Sequence, residues 1–277
     1  IFWFVIDSVR YYKANRDDRD RLDIMDLLGK DSIEFENCIT SAPSSILSAG
    51  AMYTGLPSTY IARHFNDWKF KNYELDTIAT LVKKYNYKSI PILNSREERE
   101  KYQYLLPPFE KKLLPKRFKL HDYGWRNSYI SDIFEYMLDN KNISEPFCFT
   151  FWYDCRRDQD ISNHVKRAID KIKEKGYYNN SIIIMHSDHG YPDPASKLDE
   201  EFFKNIGHDM ILTDDNIKVP FFLKYPGSPQ NIKIKNNIGL IDVIPTIFDI
   251  LELPYKTINN KYQGKSLLPI ISGKEVQ

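Results

Sequence analysis

The sequence predicts an α/β fold with a central, mostly parallel sheet flanked by helices, and three features carry that prediction. Ile1 to Ile6 is an unbroken apolar run that ends at Asp7, as expected of a strand covered on both faces. Phe147 to Tyr153 is an aromatic and β-branched run typical of a central strand. Ser181 to Met185 is a third apolar strand that runs straight into His186-Ser-Asp-His-Gly190. Between such strands lie segments with apolar residues at helical spacing, which is the alternation that builds parallel sheets.

In chain order, Asp18 to Gly29 is charged, with Leu22, Ile24, Met25, Leu27 and Leu28 interspersed, and predicts a helix stopped by Gly29. Pro43-Ser-Ser opens a run of small and apolar residues from Ser45 to Tyr53, a helix N-terminus with Ser44 or Ser45 as its cap. Asp76 to Tyr85 predicts an amphipathic helix and Lys88 to Leu93 a short strand. The stretch 96–120 is rich in Lys, Glu, Pro and Tyr without a clean period, and is expected to be an insertion or lid. Ile161 to Lys175 places Val165, Ala168, Ile169 and Ile172 on one helical face and stops before Gly176. Val219 to Tyr225 predicts a strand closed by Pro226-Gly227, and Ile241 to Leu251 a helix with Pro245 in its first turns. No repeat or linker divides the chain, so one domain over 1–277 is expected, with either end open to further residues.

The 277 residues, 42% of them apolar, suffice for a large core, which excludes a peptide or small disulfide scaffold. Lys plus Arg (39) balance Asp plus Glu (38), so nucleic acid is not an expected partner. No run of about 18 apolar residues provides a membrane segment. Cys38, Cys148 and Cys155 lack the spacing of a zinc or redox motif and read as ordinary thiols.

Two predicted strands deliver cation ligands at their carboxyl ends, where open α/β sheets bind their ligands: Asp7 after the first, and Asp188 with His189 after Met185. Carboxylates and an imidazole together suit one divalent ion (Ca, Mn, Zn or Mg), the imidazole tilting the choice toward transition metals.

Five ordered segments resemble the sulfatase family of the alkaline phosphatase superfamily. They are the strand ending in Asp7, Thr40 to Leu56 (TSAPSSILSAGAMYTGL), Ile182 to Gly190 (IIIMHSDHG), Gly207 to Gly227 (GHDMILTDDNIKVPFFLKYPG), and Ile241 to Leu251 with Gly264 to Pro269 (IDVIPTIFDIL and GKSLLP). The resemblance implies an alkaline-phosphatase-like three-layer sandwich and a sulfuric or phosphoric ester hydrolase. It places Ser45, ten residues before Gly55, at the nucleophile position, where the hydroxyl would also face the metal; Ser44 is the alternative if the register slips by one. An alkoxide at a helix N-terminus gains from the dipole and from N–H groups that also favour an incoming anion. His208 falls where the family has a residue contacting metal or leaving group, and imidazole suits a general acid. Arg10 and Arg156 are candidates for binding the substrate anion. His64, His121, His164 and His186 have no such placement and read as structural or surface residues.

The departures are informative. Sulfatases that oxidise their nucleophile to formylglycine carry Cys or Ser, any residue, Pro, any residue, Arg, whereas this chain has Ser45-Ile-Leu-Ser-Ala49. Many sulfatases end the first strand in two Asp residues; here the pair is Asp7-Ser8. This is closer to the branch with an unmodified hydroxyl nucleophile that includes lipoteichoic acid synthase. The expected substrate is a small-molecule, glycan or lipid ester. Three readings stand: an ester hydrolase with a serine nucleophile, a phosphotransferase or phosphodiesterase acting on a lipid or glycan, and a degenerate binding protein.

Overall fold

The computed structural model describes residues 1–11, 28–63, 65–66, 69–70, 75–93, 102, 105–106, 127–140, 146–154, 160–192, 208–254 and 263–274. Ten strands are present among them: β1 (Phe2–Asp7), β2 (Ile33–Ile39), β3 (Phe65–Asn66), β4 (Lys69–Phe70), β5 (Lys88–Leu93), β6 (Phe147–Asp154), β7 (Ile183–His186), β8 (Lys218–Val219), β9 (Phe221–Lys224) and β10 (Ile232–Gly239). Eight form one sheet in the order β10-β2-β9-β7-β1-β6-β5, with β8 also on β2. β5, β6, β1 and β7 run parallel, as do β2 and β10. The short strands β8 and β9 are the antiparallel exceptions.

The pleat explains the layers. Alternate residues of β1 point to opposite faces, so Trp3 and Val5 enter one core while Phe2, Phe4 and Ile6 enter another. The first core packs helices Ser45–Thr54 and Val243–Ile250 against the sheet. The second packs helices Asn127–Asp139 and Ile161–Glu174 on the opposite face. There Phe134 meets Phe149 and Phe151 edge-on, with ring centroids 5.0 and 4.9 Å apart, the orientation that ring quadrupoles favour. All six residues of β1 are buried, which is why the strand is apolar without alternation. The result is the predicted three-layer α/β arrangement.

Several boundaries move, each for a local reason. The predicted strand Val219 to Tyr225 is split at Pro220, which cannot donate to a ladder. The predicted helix from Ile241 begins as a 3-10 turn, Leu240–Asp242, before the α-helix Val243–Ile250. The strand before the His-Ser-Asp-His segment starts later, at Ile183, and includes His186. Asp76 to Tyr85 shortens to Ile78–Lys83, capped by Thr77, whose hydroxyl accepts from the Thr80 N–H. The longest elements outside the prediction are β2, β10 and the helix Asn127–Asp139; the short strands β3 and β4 and the short helices Ser58–Ala62, Asp214–Ile217 and Leu268–Ile271 were not predicted either. Of the expected helix Asp18 to Gly29, only the end at Leu28 and Gly29 is among the described residues; of the stretch 96–120, only Tyr102, Leu105 and Leu106 are, and all three are buried in the first core.

Candidate metal and nucleophile site

The site lies at the carboxyl ends of β1 and β7, which are parallel neighbours in the centre of the sheet. Asp7 is the last residue of β1, and Asp188 and His189 follow directly after β7; all three are buried. One oxygen or nitrogen from each lies within 4.8 Å of the other two.

A tight polar scaffold fixes this turn. Ser187 Oγ accepts the Val9 N–H at 2.8 Å and lies 2.6 Å from the carbonyls of both Ile6 and His189, stapling the end of β1 to the end of β7. Gly190 donates its N–H to the Asn216 carbonyl at 2.8 Å, and the backbone of Asp215 presses so close that a Cβ on residue 190 would meet the Asp215 oxygen at 2.0 Å. Only glycine permits that approach. The Asn216 side chain in turn donates to the carbonyls of His208 and Ile211, at 2.8 and 2.7 Å, which brings the His208 segment against the site.

The nucleophile candidate arrives on the helix Ser45–Thr54. The helix closes on Gly55, in the left-handed region at φ 68°, whose N–H reaches the Ala51 carbonyl. At the other end Ser44 occupies the cap position, but its hydroxyl makes no capping hydrogen bond, and Ser45 is the first helical residue. This corrects the expected side-chain cap: neither serine closes off the first-turn N–H groups. Ser48 ties the helix to the Asp188 turn, donating to the Asp188 carbonyl at 2.7 Å and sitting 2.9 Å from Thr40 Oγ1. Ser45 Oγ thereby stands 2.9 Å from His189 Nε2.

The donor set fits a cation. Asp188 Oδ1 accepts the N–H groups of Ser8 and His189, at 3.1 and 2.9 Å, while its Oδ2 is buried with no hydrogen-bond partner and lies 3.4 Å from His189 Nε2. A buried carboxylate oxygen left in this state is costly unless a cation meets it. His189 Nδ1 lies 2.6 Å from the Gly190 carbonyl, the bond that places the ring proton on Nδ1 and leaves the Nε2 lone pair for a metal. Asp7 Oδ1 is 3.9 Å from the same Nε2, and its Oδ2 receives the Trp152 indole N–H at 3.4 Å. Burial, and then the charge of nearby Asp7, push the Asp188 carboxyl up to about 6. Two carboxylates buried together are electrostatically incomplete in just the way a divalent ion would complete.

His208 lies beside this group, its ring tilted 30° to that of His189 with centroids 4.7 Å apart, and its Nε2 3.1 Å from Asp209 Oδ1. Arg10 is half-buried three residues past Asp7. Arg156 lies outside the described residues, as do Cys155, His64 and His121. His186 is buried and structural: its Nε2 accepts the Trp3 indole N–H at 2.6 Å and its Nδ1 lies 2.8 Å from the Ser187 carbonyl. Burial holds its pKa down to about 4. The contacts of Ser8, Ser187, Trp152 and Asn216 were not predicted from the sequence: Ser8 and Trp152 bond the candidate carboxylates, and Ser187 and Asn216 bond the backbone around them, contacts without a residue-type signature.

Residues 160–253 match the family model described as Sulfatase. The lipoteichoic acid synthase-like YvgJ of Bacillus subtilis is 34% identical over 98 residues, covering 33% of this chain and 15% of that protein. N-acetylglucosamine-6-sulfatase of Homo sapiens is 30% identical over 113 residues, covering 41% of this chain and 19% of that protein. The chain thus spans less than a fifth of the length of these curated relatives. Phosphonate monoester hydrolase SpPMH from Silicibacter pomeroyi superposes with a TM-score of 0.73 over 100% of this chain and 77% of its own, at 15% identity, a likeness of fold alone. The segment that holds Asp188, His189 and His208 is thus similar to the Sulfatase family, and the chain shares its fold with a phosphonate monoester hydrolase.

Proposed function

We propose that this chain catalyses cleavage or transfer of phosphate or sulfate esters, with Ser45 as nucleophile beside one divalent metal ion held by Asp7, Asp188 and His189. The observation that carries this reading is the clustering of Asp7, Asp188 and His189, all buried, with Ser45 Oγ 2.9 Å from His189 Nε2 at an uncapped helix N-terminus. A bound divalent cation would supply Lewis-acid charge there, lowering the hydroxyl's pKa and offsetting charge on the transferred group. Ser45 attacks phosphorus or sulfur in line, and a seryl ester forms as the ester bond to the leaving alcohol breaks. First-turn N–H groups of the helix favour the anionic oxygens of that group. His208 protonates the leaving alcohol, with Arg10 and Arg156 as further contacts for the substrate anion. Water or an acceptor alcohol then releases the seryl ester, giving hydrolysis or transfer.

Phosphorus esters are the preferred substrates, because Ser45-Ile-Leu-Ser-Ala49 lacks the Pro and Arg of the formylglycine motif and an unmodified serine suits phosphoryl chemistry. The relatives are named for a sulfated sugar, a lipoteichoic acid synthase and a phosphonate monoester, so a small-molecule, glycan or lipid ester is the substrate class. The test is a panel of aryl sulfate, phosphate monoester, phosphodiester and phosphonate ester with added manganese, zinc or calcium, with and without chelator. Turnover of a phosphorus ester that chelation abolishes is expected. Full activity in the chelated protein would sink the mechanism.

A further inference from the structure

Ser8 stands in the left-handed region at φ 66°, a conformation uncommon for a residue other than glycine, and it is buried at the end of β1. A serine that continued β1 in extended form would send its side chain to the face opposite Asp7. The turn instead lets this one residue hold both carboxylates. Its N–H donates to Asp188 Oδ1 at 3.1 Å, and its hydroxyl donates to Asp7 Oδ1. With Oδ1 of Asp188 engaged in this way, the partnerless Oδ2 is the oxygen turned toward His189 Nε2.

We infer that Ser8 is a positioning residue for the metal centre, one that sets the rotation of both carboxylates so that they converge on a cation. The inference rests on the metal-dependent reading above. Backbone strain retained at a ligand-bearing turn is what such a role requires, since glycine would adopt φ 66° at no steric cost but would lack the hydroxyl that reaches Asp7.

The test uses MnCl2 as probe on the whole chain, with affinity measured by calorimetry and thermal unfolding measured in chelator. Ser8→Gly keeps the backbone conformation and the N–H while removing the hydroxyl. It is expected to weaken Mn2+ binding about tenfold or more, the usual cost of losing a group that orients a ligand, while its metal-free Tm equals or exceeds that of the wild type. Ser8→Ala removes the hydroxyl and keeps the strain, so it should lose the same affinity at a lower metal-free Tm than Ser8→Gly. Wild-type Mn2+ affinity in Ser8→Gly would overturn the inference and leave the metal-dependent reading intact. A wild-type protein that binds neither Mn2+, Zn2+ nor Ca2+ would overturn both.

Discussion

At His208 the departure of a leaving group can be separated from the binding of metal. Its ring lies against His189 without belonging to the group of converging ligand atoms, a position suited to donating a proton to the outgoing alcohol. His208→Ala is expected to slow esters of poor leaving groups about a hundredfold or more, and esters of acidic phenols much less, because the latter depart without a proton. Leaving-group dependence measured on wild type and variant checks this; equal slowing of both substrates, rescued by excess metal, would make His208 a metal ligand instead. At this scale the sequence was informative where a chemically distinctive residue follows an apolar run, as with Asp7, Asp188 and His189. It marked Ser8 only as a departure from a paired Asp, because its contacts depend on a positive φ and on two carboxylates far apart along the chain. Ser187 and Asn216 were invisible, because their partners are backbone carbonyls, which every residue carries.

Among the elements, strands with long apolar runs were legible and those whose runs are broken by polar residues were not. β1 and β6 emerge near their predicted bounds because continuous apolar runs leave little choice, and β5, at the sheet's edge, follows its Ile90, Ile92 and Leu93. β2 escapes prediction because Glu34, Glu36 and Asn37 interrupt its run; it is buried only in part and is held by pairing with β10, β8 and β9. β10 alternates Ile232 and Ile234 with exposed Lys233 and Lys235, the pattern of an edge strand, where exposed lysines discourage pairing with another chain. The helix Asn127–Asp139 does bury Ile130, Ile133, Phe134 and Met137 at helical spacing, a signal that was present in the sequence. The helix bearing Ser45 shows the complementary lesson. Its small residues predict its existence, but its placement depends on Ser48, which bonds both Thr40 and the Asp188 carbonyl, and only tertiary packing reveals that.

For the molecule as a whole, the proposed metal site is expected to make stability depend on pH and metal together. Asp188 is pushed up to about 6 from an ordinary 3.8, so between those values the metal-free fold holds a proton that the unfolded chain has released. Its contribution is therefore present at low pH and lost as pH rises through about 6. His186 acts oppositely: held down to about 4 from 6.5, it costs stability as pH falls through that interval. Comparing Tm with Mn2+ and with chelator cancels the His186 effect, because that ring is not in the ligand group. Since ligands must be deprotonated to bind, the Mn2+-induced rise in Tm is expected to grow as pH increases from 5 through about 6 toward 8. A rise that stays constant or shrinks over that range would contradict the assignment of Asp188 as ligand. The most direct test of the central claim is a rapid acid quench of the Mn2+-loaded protein turning over an aryl phosphate or phosphonate ester, followed by intact mass and peptide mapping. The account predicts the transferred group on unmodified Ser45, absent in Ser45→Ala and in chelated protein. Undiminished turnover by Ser45→Ala, or an aldehyde at position 45 in the wild type, would contradict it.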